Sequence, residues 1–207
     1  MLNAVLGLVP PSAGEVSVLG QPAGGRNART LRHVGFAPDD DAALIEELTA
    51  SELWRLHARL HAKVEGDVGA LERHALEIAR QLDFAPPRAT VASFSHGMKK
   101  KTQLAAALMH RPRLLVLDEP RNGLDPLGIE RLEALLRRVR SDGTACLVAS
   151  HDLRWAERVA DRVILLADGR VVAAGTPEEV ARGSGDFVAA FFALVGAEEC
   201  DAADVAR

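Results

Sequence analysis

Residues 95–126 read SHGMKKKTQLAAALMHRPRLLVLDEPRNGLDP, and most of the architecture follows from them. Leu114 to Leu117 is a short continuous apolar run, the pattern of a strand buried on both faces of a parallel sheet. Ahead of it, Leu104 and Leu108 share one side of a predicted helix opened by Ser95. Behind it, Asp125-Pro126 caps another helix whose apolar face is Ile129, Leu132, Leu136 and Val139. A second apolar run, Ala145 to Ala149, follows. Helices alternating with short buried strands are the mark of parallel βα units, so the predicted class is α/β.

Toward the C-terminus, Val163 to Ala167, Asp168-Gly169 and Arg170 to Ala174 predict a strand, a hairpin turn and a return strand. Thr176-Pro177-Glu178-Glu179 opens a short helix with Pro at its first position and Glu at N3, the start of a helical tail over 176–207. Toward the N-terminus, strands are predicted at Glu15 to Leu19 and His33 to Ala37. Thr49-Ala50-Ser51-Glu52 is a capping box that starts a helix near residue 50, with Leu53, Leu56 and Leu60 at helical spacing. A second helix carries Leu71, Ala75, Ile78 and Leu82, and Pro86-Pro87 is expected to end it. Residues from about 47 to 94 therefore form a helical lobe set into the α/β core.

Length and composition bound the function. At 207 residues the chain suits one domain, or one with a smaller lobe inserted, on a prior of ~100 to 200 residues per domain. With 48% hydrophobic and 26% charged residues it is a folding sequence, not a disordered one. A net charge of −4 supplies no global basic field, so nucleic acid is not an expected partner and any phosphate must be held locally. Cys146 and Cys200 have neither metal-ligand spacing nor a disulfide framework, which suits the cytoplasm. The apolar stretch Phe187 to Ala197 is short of the ~20 residues a membrane-spanning helix needs, and MLNAVLGLVP lacks the features of a signal peptide. It reads as the end of a helix that begins upstream.

The chemistry concentrates where the strand at 114–117 ends. Asp118 and Glu119 stand at the carboxyl edge of an α/β sheet, where ligands bind in such folds. The first carboxylate can hold Mg²⁺ on a nucleotide and the second can orient or deprotonate an attacking water. A solvated turn is the plainer reading of Asp-Glu-Pro. Ser95 and Gly97 at a helix N-terminus offer free N–H groups, a hydroxyl and close backbone approach to an anion. An ordinary Ser N-cap is the commoner use of such a residue. Asp125 and His151, each alone, would be a cap and a surface residue.

Taken in order, these segments resemble the ATPase subunit of ATP-binding cassette (ABC) transporters. SFSHGMKKKTQLAAALMHRPRLLVLDEPRNGLDP is similar to that family's signature motif, Walker B and D-loop, and LVASHDLRWAERVADRVILLADGRVVAAGTPEEV to its switch-histidine strand and following hairpin. The resemblance covers nearly the whole chain. It implies a P-loop NTPase-like parallel sheet with an inserted helical subdomain, ATP and Mg²⁺ as cofactors, and a dimer of nucleotide-binding domains beneath separate membrane permease subunits. A peripheral position on the inner face of the cell membrane follows. By resemblance Ser95 and Gly97 would grip the γ-phosphate of an ATP held mainly by the second subunit. Asp118 would serve Mg²⁺, Glu119 would be the catalytic base, Asp125 would act across the dimer, and His151 would contact the γ-phosphate.

The chain departs from that pattern in four places. His96 stands where the family usually has Gly, and Arg121 where it has a small hydroxyl residue. Asp39, after the strand at 33–37, falls where the family's metal-contacting Gln would be; a carboxylate there could approach Mg²⁺ but adds negative charge near phosphates. No G-x-x-x-x-G-K-[ST] occurs among the 207 residues. The loop Gly20 to Asn27 has glycines at similar spacing, but Arg26 replaces the Lys, Asn27 the hydroxyl residue, and Pro22 removes a donor, so it is rejected as a cradle. The expectation is therefore a partial nucleotide-binding domain over 1–207, with the P-loop and its strands upstream of Met1. Val5, Leu6 and Leu8 are expected to lack packing partners. Two other readings stay open: a non-hydrolysing subunit that completes a partner's site, and an inactive truncated fragment.

Overall fold

A computed structural model describes residues 1–23, 28–41, 44–65 and 67–205, and the chain divides into two compact units, Met1–Ala149 and Ser150–Arg207. The first unit contains α1 (Leu2–Val5), the hairpin β1 (Ser17–Val18) and β2 (Gln21–Pro22), α2 (Ala28–Leu31) and β3 (Val34–Ala37). It continues through α3 (Ala50–Glu65), α4 (Val68–Gln81), α5 (His96–Leu108), β4 (Leu114–Asp118), α6 (Pro126–Ser141) and β5 (Ala145–Ala149). The second holds α7 (Leu153–Val159), β6 (Val163–Ala167), β7 (Arg170–Gly175), α8 (Pro177–Val180) and α9 (Phe187–Val205).

In the first unit β3, β4 and β5 form a parallel sheet in that order, with Ala37 opposite Leu117 and Asp118 opposite Ala149. This register brings the carboxyl ends of all three strands to one edge. The apolar run predicted to be a central strand is one: Leu115, Val116 and Leu117 are fully buried, each side chain contributing ~1.5–3 kcal/mol by burial. Leu2 on α1 and Leu6, the residue that caps its C-terminus, pack with Val116 against Val34, Phe36, Leu114 and Leu147. Leu6 is thus buried, contrary to expectation, because the helical spacing lays it on the sheet. Leu8, past the left-handed Gly7, is exposed.

The helices between β3 and β4 largely follow the sequence, with two corrections. Thr49 and Glu52 form the predicted reciprocal cap, Glu52 Oε2 accepting from the Thr49 N–H at 2.9 Å and Thr49 Oγ1 from the Glu52 N–H at 3.3 Å. On α3, however, Leu56 and Leu60 are exposed, while Ala50, Leu53, Trp54 and Ala58 are buried. Trp54 sets this face, its indole N–H donating to Thr102 O of α5 at 3.0 Å. The second correction concerns α4, which stops at Gln81, where Leu82 caps it and Asp83 takes a left-handed conformation, φ 50°, before Pro86-Pro87 is reached. On α6 the buried face is Gly128, Leu132, Leu135 and Leu136, with Ile129 and Val139 half-buried.

The predicted strand at 15–19 shortens to β1, which turns back through Leu19 and Gly20 (φ 52° and 76°) into β2. Gly20 is therefore the tip of a two-residue hairpin, with the positive φ angles such turns require. Gly24, Gly25, Arg26 and Asn27 of the rejected loop lie outside the described residues.

In the second unit β6 and β7 pair antiparallel around Asp168 and Gly169, as predicted, with a bulge at Leu165/Leu166. Val163, Leu165 and Phe187 make its core. Thr176 and Glu179 complete the capping box of α8. Helix α7 was missed by periodicity, being only seven residues long; Asp152 caps it, accepting from the Trp155 N–H at 2.8 Å. Among the described residues no helix is long and apolar enough to cross a membrane.

Candidate functional site

The carboxyl edge of the sheet gathers three loops. Asp118 ends β4, and Glu119 follows with φ 41°, a left-handed conformation uncommon for any residue but glycine. The Glu119 N–H donates to Ala149 O at 3.0 Å, continuing the β4–β5 ladder through that turn. Such a strained carboxylate at the end of a buried strand is held by its surroundings.

Asp39, two residues beyond β3, faces inward. Its Oδ1 accepts from Asn122 Nδ2 at 2.7 Å, which ties the loop after β3 to the loop after β4. Burial pushes the Asp118 carboxyl up, and Asp39 and Glu119 push it the same way, with Lys100 opposing them. The edge is therefore a set of acidic groups that a cation would relieve.

Ser95 is the N-cap of α5, its Oγ accepting from the Met98 N–H at 3.3 Å. Gly97 sits against the loop after β4, where a Cβ would come 2.6 Å from Gly123 O, so no side chain fits without displacing backbone. His96 closes over Gly123 from the other side, and its Nδ1 stands 3.8 Å from Asp41 Oδ1. Asp125 caps α6, its Oδ1 accepting from the Gly128 N–H at 2.7 Å. The first unit thus brings Asp39, Ser95, Gly97, Asp118, Glu119 and Asp125 into the segments that meet at this edge. His151 belongs to the second unit, exposed, two residues along the chain from Ala149.

Residues 1–122, more than half of the chain, match the family model described as ABC transporter. The chain belongs to this family. It is 35% identical over 173 residues to the Nod factor export ATP-binding protein I of Rhizobium sp. (strain N33), covering 84% of this chain and 56% of that protein. It is 28% identical over 179 residues to the linearmycin resistance ATP-binding protein LnrL of Bacillus subtilis (strain 168), covering 86% and 57%. The chain spans about half the length of these curated relatives. Among solved structures, an ATP-binding subunit of an ABC transporter superposes with a TM-score of 0.83 at 30% identity, over 93% of this chain and 81% of that one. A dimeric post-hydrolysis ATP-binding cassette bound to ADP and Pi shares the fold, with a TM-score of 0.74 at 24% identity, over 84% and 78%.

The fold is thus the P-loop NTPase-like α/β fold of an ABC transporter ATP-binding domain. Among the described residues no three His, Cys, Asp or Glu side chains converge as ligands of a metal. A magnesium ion does not need such a cage, since it takes one or two carboxylates with waters and phosphates. The raised Asp118 beside Asp39 fits that mode.

Two ABC-domain residues escaped the sequence reading. Lys100 is fully buried, its Nζ donating to Pro38 O at 2.7 Å and Asp39 O at 3.2 Å. Gln103 Nε2 donates to Asp40 O at 2.7 Å. The signal for Lys100 was present: it lies four and eight residues before Leu104 and Leu108, on the face of α5 that is buried.

Proposed function

We propose that the chain is the ATP-binding and ATP-hydrolysing part of an ABC transporter, exporter-like, coupled to a separate membrane permease on the cytoplasmic face of the cell membrane. The observation that carries this is Glu119, held at φ 41° directly after Asp118 at the edge of a buried parallel strand. In this reading Asp118, with Asp39 nearby, takes the Mg²⁺ that accompanies ATP. Glu119 accepts a proton from the attacking water. Ser95 and Gly97 present the N-terminus of the 13-residue α5 to the γ-phosphate of an ATP held by a second nucleotide-binding domain. Asp125 acts across that dimer and His151 contacts the γ-phosphate. The two units are parts of one nucleotide-binding domain, with the helical subdomain at about 47–94.

A second reading is that the chain completes a partner's site through Ser95 and Gly97 and does not itself hydrolyse ATP; a G-x-x-x-x-G-K-[ST] encoded in frame ahead of Met1 would speak for the first reading and its lack there for the second. One experiment separates them. The chain is extended ahead of Met1 by a strand and loop carrying G-x-x-x-x-G-K-[ST], and phosphate release is followed with Mg²⁺-ATP. Turnover that Glu119→Gln abolishes and His151→Ala lowers supports the first reading. Turnover by the extended chain that survives Glu119→Gln at the parental rate removes Glu119 from the mechanism.

A further inference from the structure

Asp118 and Glu119 mark the carboxyl edge of the sheet, and the opposite edge, where β4 and β5 begin, borders a groove of about 210 Å³. Helix α4, the end of α5 and helix α6 enclose it, with Pro112, Arg113 and Thr144 from the segments that enter the two strands. Its floor is apolar: Ile78, Leu108 and Leu135 are buried there and Val139 is half-buried. Three arginines line the same groove, Arg111, Arg113 and Arg138, all of them exposed. A concave apolar surface with a few convergent polar groups is the usual form of a small-molecule site.

The three guanidiniums are not equivalent. Arg138 is engaged, its Nη2 lying 3.3 Å from Glu77 Oε1 and its Nε 3.9 Å from Asp142 Oδ2. Arg111 and Arg113 make no side-chain hydrogen bond or ion pair among the described residues. The plain role for cations here would be to cover the C-termini of α5 and α6. Those carbonyls are already taken. Leu108 O accepts from the Arg111 N–H at 2.9 Å, and Met109 O from His74 Nδ1 at 2.8 Å. On α6, the carbonyls of Arg138, Val139 and Arg140 accept from the N–H groups of Asp142, Thr144 and Gly143 at 3.0, 2.9 and 2.9 Å. Arg111 also stands at φ 51°, just past a helix, where glycine is the favoured residue. Two unpaired positive charges thus border an apolar floor, and the one carboxylate among the lining residues, Asp142, is turned to Arg138.

We propose that this groove binds a small organic anion, a ring-sized apolar body bearing one phosphate or carboxylate, with the acid group on Arg111 and Arg113 and the apolar body on Ile78, Leu108 and Leu135. A cavity of about 150 Å³ holds benzene, so the groove has room for one ring and its acid group. Guanidinium suits either acid, since its fork of N–H donors meets two oxygens at once. Such a ligand touches α4 and α6 together, and its binding adds to the stability of the folded chain.

Phenyl phosphate is the probe, titrated into the isotope-labelled 207-residue chain without nucleotide or metal, beside inorganic phosphate and phenol, and followed by nuclear magnetic resonance. The amide signals of Gly143 and Thr144 should shift saturably with phenyl phosphate, which should bind about tenfold more tightly than either fragment. Arg111→Gln and Arg113→Gln, both at exposed positions, should each weaken it about tenfold, the loss of one charge-assisted hydrogen bond. Asp142→Asn releases Arg138 toward the ligand and should tighten binding several-fold. Arg170→Gln removes a charge in the second unit and should leave binding unchanged. If Arg170→Gln weakened binding as much as Arg111→Gln, net charge alone would account for it and the proposal would be overturned. Equal affinity for phenyl phosphate and inorganic phosphate, shifts confined to Ser95–Met98, or no saturation at millimolar probe would each overturn it as well.

Discussion

Asn122 Nδ2 donates to Asp39 Oδ1 across 2.7 Å, joining two loops 83 residues apart in sequence at the carboxyl edge of the sheet. A hydrogen bond to an ionised partner contributes more than a neutral one, ~1.5–3 kcal/mol, and this one is half-buried. Asn122→Ala should cost about 1.5 kcal/mol in urea unfolding. Asn122→Asp should cost more, since two carboxylates would then face each other. Asp39→Asn combined with Asn122→Asp restores a donor and an acceptor and should recover most of the loss. A double variant no more stable than Asn122→Asp would show that the two side chains do not pair.

Glu119 stands in a left-handed conformation that costs a non-glycine residue roughly 1–2 kcal/mol. Glycine removes that cost but adds ~0.4–1 kcal/mol of unfolded-chain entropy. Glu119→Gly should therefore gain stability slightly, by up to about 1 kcal/mol, and lose hydrolysis in the P-loop-extended chain. Glu119→Gln keeps the strain, so its unfolding midpoint should match the parent while turnover falls by about 10² or more. Thermal melts beside phosphate release separate the two effects. A Glu119→Gly chain less stable than Glu119→Gln would mean the backbone is not strained at this position.

The parts of this architecture carried by local pattern were legible in the sequence. Leu114 to Leu117 reads as a buried strand because its own apolar run suffices to say so, and the Thr49–Glu52 and Thr176–Glu179 caps close within four residues. Faces decided by distant partners were not legible. On α3 both Leu56 and Trp54 fit a helical stripe, and the choice between them comes from Thr102 on another helix. Likewise Asp39 was placed beside a possible metal by resemblance, but its contact with Asn122 depends on the β3–β4 register, in which Ala37 lies opposite Leu117. Lys100 lay between these cases: spacing put it on a buried face, and only the fold supplied the Pro38 and Asp39 carbonyls that receive its ammonium.

His110 should make the fold sensitive to acid. Its ring stacks on His61, with centroids 3.9 Å apart, and its Nε2 lies 3.2 Å from Val34 O. Burial, then the neighbouring His61, lowers its pKa from 6.5 to about 4, with His57 and His33 adding to the shift. The folded form holds the ring neutral, whereas the unfolded chain protonates it near 6.5. Its contribution is thus present above about pH 6.5, shrinks as pH falls toward 4, and amounts to a loss of about 3 kcal/mol at pH 4. His110→Phe keeps the stacking surface and cannot titrate. Between pH 7 and about pH 4.5 the parent should lose more stability in urea than the variant. Parallel loss in both would place the acid-sensitive group elsewhere.

The chain of residues 1–207, taken alone, should bind ATP weakly. In P-loop enzymes the β- and γ-phosphates are cradled by backbone N–H groups and a lysine of the G-x-x-x-x-G-K-[ST] loop, and no such motif occurs here. The hairpin tip at Gly20 is no substitute, because it joins two antiparallel strands and does not open a helix onto the phosphates. Each charge-assisted hydrogen bond to phosphate is worth ~1.5–3 kcal/mol, so the loss of two reduces affinity by a factor of ~10² or more. Of the groups that remain, the carboxylates of Asp118 and Asp39 repel phosphate unless a cation lies between. Mg²⁺ should therefore be required for any binding detected, and binding should fall further in Asp118→Asn. Titration of labelled ATP by equilibrium dialysis, with Mg²⁺ and with EDTA, measures both effects. Micromolar binding by these 207 residues with Mg²⁺-dependent turnover would overturn the prediction and require a phosphate cradle elsewhere on the chain.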